Sequence, residues 1–410
     1  MIAARRPVAA QLPIAAWAVL GAAMWVGIAL LAARMFATVP PSAGFDLELL
    51  LAAGRDVAAG RSPYDPAIVA GAAPAGTSLF YSYPPLVAQA AAFLASLPSS
   101  VIFGAGSIGA VAGVGGAALL LRNRLAPDLD GRVVAAGAIA AAAVVLPFAI
   151  GILFGNVDAF FPLLYGLLLA GCLSTRPRDQ VLGGVALAIA VLAKVHPAIL
   201  GLWLVARLVR GRFLREEEIA PIVRTLAGAA GTAALLVGIS LALGGPGIWL
   251  EYLRVVGVMS AAEILDARNA APATQLVLLV GGDNGLARLL HLPIAVGAIA
   301  VTGWAAIARR DTIESLAWAA AASLFILPVT WYHYPAALLP FGIAAMLRAW
   351  GTPVAGRVAL ALGGAIVLAA AGLVWPPLLW VAVGLVVAAA WRSGTDIGRV
   401  LPGRWDVRGK

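Results

Sequence analysis

Apolar residues run through this chain in long blocks, and polar residues fall between the blocks more than within them. The blocks lie at 14–36, 84–97, 99–121, 133–150, 157–172, 181–193, 197–208, 219–243, 292–308, 313–329, 335–347, 358–374 and 376–391. A helix needs about 20 apolar residues to cross a bilayer core, and fewer where it is broken or packed inside protein. The pattern therefore predicts an all-α polytopic integral membrane protein with roughly 11–13 transmembrane or membrane-embedded helices. No soluble domain stands out, so 1–410 reads as a single transmembrane domain. Arg5 and Arg6 precede a first block too long for a typical signal-peptide core, which reads as an uncleaved first transmembrane helix.

Two stretches break the rhythm. The first, 37–83, holds Asp46, Glu48, Arg55, Asp56, Arg61 and Asp65. Its Leu47, Leu49, Leu50, Leu51 and Val57 predict a short amphipathic helix ended by Gly60 and Pro63. The second, 244–291, carries Trp249, Glu251, Arg254, Glu263, Asp266, Arg268 and Asn269, and reads as a long connection. His291 at its close reads as a helix-end residue. Residues 84–121 would be about 57 Å long as one helix, too long for a single span. They predict a short re-entrant or surface helix, a break near Pro98, and then a span.

Composition narrows the class. Hydrophobic residues make up 62% of the chain and charged residues 11%, with a mean hydropathy of +0.97. Those values exclude a soluble enzyme, a disordered tail and a coiled coil. The net charge of +9 comes from arginines that bracket apolar blocks, as the positive-inside rule produces, and implies a lipid bilayer partner and no nucleic acid. Placing Arg5/Arg6, Arg122/Arg124, Arg176/Arg178, Arg207/Arg210/Arg212/Arg215, Arg309/Arg310, Arg348/Arg357 and the basic 392–410 tail in the cytoplasm puts both termini there. The lone Cys172 builds no disulfide or iron–sulfur site, and no His/Asp/Glu cluster has metal spacing. No metal or other cofactor is expected.

The opposite face then collects Asp46, Tyr83-Pro84-Pro85, Gly155-Asn156, Lys194-Val195-His196-Pro197, the 244–291 connection and Trp331-Tyr332-His333-Tyr334. Asp46 reads either as a general base or as a first-turn acid of the helix that follows. Lys194 and Lys410 are the only lysines, so Lys194 reads as a phosphate ligand or as a snorkelling interfacial residue. His196 and His333 are further candidates for a donor phosphate, with Arg55 beside them in the first loop. Asn156, which with Asp158 begins a span, reads equally as a cap or a substrate contact. Tyr83, Trp331, Tyr332, Arg268 and Asn269 complete the candidate cavity.

Asp46, Pro63-Tyr64-Asp65, Tyr83-Pro84-Pro85-Leu86, Gly155-Asn156-Val157, Lys194-Val195-His196-Pro197 and Trp331-Tyr332-His333-Tyr334 occur in that order. Together they resemble glycosyltransferase family 87, the actinobacterial polyprenol-phosphate-mannose-dependent α-mannosyltransferases of the GT-C superfamily. The chain departs from the family pattern in having Gly155-Asn156-Val157-Asp158 where Gly-Gln-x-Asn is common, and Tyr332 where an acidic residue is common. The resemblance implies a GT-C fold in the bacterial plasma membrane, with an extracytoplasmic catalytic cavity. It implies a polyprenyl-phosphate-mannose donor and a phosphatidylinositol mannoside or lipoglycan acceptor, joined with inversion in an α-(1,2) link. It carries Asp46 to the position of the catalytic base, and Tyr83, Lys194, His196 and His333 to the cavity lining. Two other readings fit the same residues: a lipid-phosphate flippase or transporter, and a GT-C transferase of another sugar such as arabinofuranose.

Overall fold

The computed structural model describes residues 14–36, 43–72, 80–215, 218–262 and 264–400, and among them there are helices and turns but no strand. The chain begins with α1 (Ile14–Phe36), α2 (Phe45–Ala58), the single turn α3 (Pro66–Val69) and α4 (Pro85–Ala92). The long α5 (Ser99–Leu125) follows, then α6 (Gly131–Val144) and α7 (Leu146–Phe154). A 3-10 turn over Val157–Phe160 leads into α8 (Phe161–Cys172), α9 (Pro177–Ala193), α10 (Ala198–Val209), α11 (Ile219–Gly244) and α12 (Gly247–Ala262). After α13 (Pro272–Val280), α14 (Asn284–Ala308) and α15 (Thr312–Ser323), a second 3-10 turn over Tyr334–Leu338 opens α16 (Leu339–Ala349). The chain ends on α17 (Ala355–Ala371) and α18 (Pro377–Val400).

Four helices are individually long and apolar enough to cross a membrane among the described residues: Ser99–Leu125, Ile219–Gly244, Asn284–Ala308 and Pro377–Gly394. The pair α6 and α7 passes as a fifth, bent by 78° at its break. Shorter apolar helices, including Ala355–Ala371, fill out the bundle. The sequence reading counted embedded helices together with spans. The structure separates them, and the protein is an all-α, multi-pass membrane protein.

Three local outcomes bear on the site. Pro98 precedes α5 and the chain between α4 and α5 is turns, so 84–121 divides into a short helix and a long one. The 133–150 block, read as one run, breaks at Val145 because Pro147, in the first turn of α7, has no N–H for the Ala143 carbonyl and its ring would clash with it in a continuous helix. The 244–291 stretch is mostly helical rather than a connection. Here α12 buries Tyr252 and Val255 against Leu50, Tyr64, Ile68 and Tyr81, forming a second small core over α2 to α4. His291 is not at a helix end: α14 starts at Asn284, capped by the Asp283 side chain, and runs through His291 and Pro293.

The main core lies among α8, α9, α10, α15 and α16, with Phe161, Tyr165, Leu200, Trp203, Leu316 and Phe341 buried in it. These helices also give the bundle two ends of different chemistry. At one end Arg124 pairs with Asp179, Arg348 with Asp311, Arg309 with Glu314 at 3.3 Å, and Arg207 and Arg210 donate to the Arg309 carbonyl. At the other end α8 and α10 begin, α9 and α15 finish, and α16 is entered. That end carries Asn156, Asp158, Lys194, His196 and His333.

Candidate functional site

The site is built where α2 meets the turn between α7 and α8. The first backbone link is Gly44 N–H donating to the Leu153 carbonyl at 2.8 Å, which docks the start of α2 on the last turn of α7. Gly155 ends α7 with φ +66°, a left-handed conformation that favours glycine. A Cβ there would also lie 2.7 Å from the Leu47 Cβ. The chain then turns so that Asn156 caps the 3-10 helix, its Oδ1 accepting from Asp158 N–H at 2.9 Å. Its Nδ2 donates to Asp46 Oδ2 at 2.6 Å and to Tyr83 Oη at 3.0 Å. The two readings of Asn156, cap and cavity contact, are both realised by one side chain.

Asp46 lies in the first turn of α2, whose N-cap is Gly44, and its carboxylate accepts from the Asn156 amide. It is 9% exposed, and it lines a cavity of about 550 Å³ together with Tyr83, Asn156, Lys194, Trp331, Tyr332, His333 and Tyr334. Burial pushes its carboxyl above the ordinary carboxylate value, with His333, the Asn156 hydrogen bond and Lys194 acting in the opposite direction.

Lys194 ends α9 in extended backbone, and its ammonium does not snorkel. Nζ is 2.7 Å from Asp158 Oδ2 and 3.9 Å from the centre of the Tyr334 ring. The His333 Nε2 lies 3.2 Å from the same Asp158 oxygen. Asp158 itself is fully buried behind the cavity wall. The segment over the cavity is held by a cluster of tilted tyrosine rings. Tyr64 Oη donates to the Tyr83 carbonyl and Tyr81 Oη to the Pro84 carbonyl, each at 2.9 Å.

Three of the candidates from sequence are elsewhere. Arg55 is nine residues after Asp46, and at about 100° per residue it faces the other side of α2. Its side chain is 52% exposed and stands near Glu48, off the cavity wall. His196 is turned into the bundle, stacked on Tyr334 at 5.3 Å and 3.4 Å from Ser323 Oγ. The chain leaves α9 extended at Lys194 and re-enters a helix after Pro197, so Lys194 and Val195 reach the cavity while His196 packs behind it. Asn269 is buried and structural: its Nδ2 donates to the Pro328 carbonyl and its Oδ1 accepts from Thr330 N–H, tying two loops together. Its neighbour Arg268 does reach the cavity, pairs with Asp266, and lies 5.8 Å over the Trp331 ring. Tyr332 lines the cavity and donates to the Ala369 carbonyl.

The sequence reading named Asp158 only as the start of a span and Tyr334 only within an aromatic cluster, and it gave Tyr252 no role. Asp158 carried a usable signal, an acid inside an otherwise apolar block, which in a membrane calls for a partner. Tyr252 carried none. Among the described residues no group of His, Cys, Asp and Glu gathers to hold a metal ion.

The cavity thus combines a buried carboxylate of raised proton affinity, an ammonium, an imidazole and aromatic walls. That set can accept a proton from a hydroxyl and bear the charge of a departing anion. No curated protein matches the chain. A family model for glycosyltransferase family 87 matches residues 81–331, from Tyr81 above the cavity to Trp331 in its wall. With that match covering more than half of its length, this membrane protein belongs to glycosyltransferase family 87.

Proposed function

We propose that this membrane glycosyltransferase moves mannose from polyprenyl-phosphate-mannose to a phosphatidylinositol mannoside or lipomannan acceptor, inverting to an α-(1,2) link. The observation that carries the reading is the Asp46 carboxylate turned into the 550 Å³ cavity that Lys194 and His333 share, rather than capping α2 toward solvent. A flippase has no need of a base there. The acceptor hydroxyl attacks the anomeric carbon from the face opposite the phosphate. The new C–O bond forms as the bond to the phosphate oxygen breaks, the hydroxyl proton passes to Asp46, and the bonding pair leaves with the phosphate. The leaving group changes from a diester to a monoester and gains negative charge, which the Lys194 ammonium and the His333 ring beside it would offset. The scheme uses no metal or organic cofactor. An inverting displacement needs one base and no covalent nucleophile.

A lipid-linked donor also needs an apolar path for its chain. A groove of about 320 Å³, lined almost wholly by apolar side chains of α6, α16, α17 and α18, starts behind Tyr332 at Ala369, Pro335 and Leu379. Nucleotide sugars are cytoplasmic, so a lipid-linked donor fits a cavity on the extracytoplasmic face of a bacterial plasma membrane, with both termini inside. The sugar and the acceptor follow the family resemblance. The test is transfer by the purified protein in liposomes, using radiolabelled polyprenyl-phosphate-mannose and phosphatidylinositol mannosides, with the arabinofuranosyl donor in parallel. An α-(1,2)-mannosylated lipid is expected. Transfer from the arabinofuranosyl donor alone would reassign the sugar, and lipid movement without transfer would bring the flippase forward.

A further inference from the structure

The ionised groups at the cavity are not those of a site built for the tightest possible phosphate binding. Lys194 contributes +1, whereas Asp46 on the wall and Asp158 behind it contribute −1 each. Arg268, at the wall, is matched by Asp266. Asp158 is the unusual member. It is fully buried, and one oxygen, Oδ2, meets both the Lys194 ammonium at 2.7 Å and His333 Nε2 at 3.2 Å. Its other oxygen is buried with no hydrogen-bond partner. Lys194 and His333 thus border the cavity while a single carboxylate holds them from behind.

We propose that Asp158 is a built-in counter-ion that competes with a lipid phosphate for Lys194 and His333, keeping the phosphate loosely enough held to be released after transfer. The inference rests on the lipid-phosphate reading of the site. Its physical basis is the charge change in the reaction. Breaking the bond from sugar to phosphate leaves a monoester more negative than the donor diester. A buried ammonium without a counter-ion would therefore hold the product more tightly than the substrate. Product release would then limit turnover. A carboxylate 2.7 Å away weakens that hold and fixes the ammonium in place at the same time.

The alternative is that Asp158 only neutralises a buried lysine for the sake of the fold. The two roles separate in the purified Asp158→Asn protein, with farnesyl phosphate as the charged probe and farnesol as its neutral control. A competing counter-ion predicts that the variant binds farnesyl phosphate at least about ten-fold more tightly than the parent, on the scale of one charge-assisted contact. It predicts a larger ligand-induced rise in Tm than the parent shows, and unchanged farnesol binding. Single-turnover transfer should persist while multiple turnover slows and becomes more sensitive to added farnesyl phosphate. Equal or weaker binding of farnesyl phosphate by the variant overturns the proposal.

If Asp158→Asn does not fold, the charge-free pair Asp158→Asn/Lys194→Met decides the matter. It should bind farnesyl phosphate more tightly than Lys194→Met alone, because Asp158 no longer competes for His333, and equal or weaker binding overturns the proposal. Failure of the parent protein to distinguish farnesyl phosphate from farnesol would instead remove the lipid-phosphate reading, and the counter-ion role with it. Binding by the parent with no gain in the variant removes the counter-ion role alone.

Discussion

The Asp46 carboxyl is pulled in two directions, upward in pKa by burial and downward by His333, the Asn156 amide and Lys194, and burial prevails. A base must be ionised to accept a proton. Transfer is therefore expected to rise with pH along a limb above the ordinary value of 3.8, and a pH–rate profile checks this. The same shift fixes the sign for stability. The folded protein holds the Asp46 proton more tightly than the unfolded chain, so this contribution is full at low pH and is lost as pH rises through the folded value. At neutral pH the amide of Asp46→Asn avoids the cost of a buried charge, and the variant should melt no lower than the parent. Its transfer rate should fall by about 10²–10⁴ with donor binding retained. Near-normal transfer by Asp46→Asn would leave Asp46 a first-turn acid and favour the transporter reading. Asp46 was legible because it is the acid nearest the first span. The Lys194–Asp158 pair was half legible: Asp158 is conspicuous inside an apolar block and Lys194 between two, but 36 positions separate them and no local rule pairs them.

Among the elements, the turn between α7 and α8 governs the site, because it joins α2, the cap at Asn156 and the buried Asp158. Gly155→Ala forces a side chain into left-handed backbone, at a cost of roughly 1–2 kcal/mol, and drives its Cβ against Leu47. The expected result is a lower melting temperature and a loss of transfer larger than the loss of donor binding, since Asn156 then no longer meets Asp46. Unchanged melting and transfer would mean that the turn is not a positioning device. The start of α5 after Pro98 could be read from the sequence because proline acts locally on the backbone. The bend at Val145 could not, because an apolar block carries no sign of where its helix changes direction. Pro147 was the single clue. The helix α12 escaped because Glu251 and Arg254 made it look like a loop, whereas Tyr252 and Val255 are buried in the small core above the cavity.

Across the whole molecule, the pairs Arg124–Asp179, Arg348–Asp311 and Arg309–Glu314 lie at one end of the bundle and the cavity at the other. The exposed Ser62, in the turn after α2, marks the cavity side. Ser62→Cys should react with an impermeant thiol reagent added outside intact cells, and labelling only after the cytoplasmic side is opened would invert the topology and the site with it. The blocks, their approximate lengths and the gathering of polar residues at the turns were determined by the sequence itself. Each follows from hydrophobic length, from proline, or from arginine held out of the lipid. Which polar residues meet was decided only by tertiary structure. Asn156 bonds Asp46 across 110 positions, and His196 sits behind the cavity while Lys194, two residues earlier, lines it. A side chain's direction rotates by about 100° for each helical residue, so whether it faces a cavity depends on how the helices are turned against one another. That rotation is set by the packing of the whole bundle, which no single segment encodes.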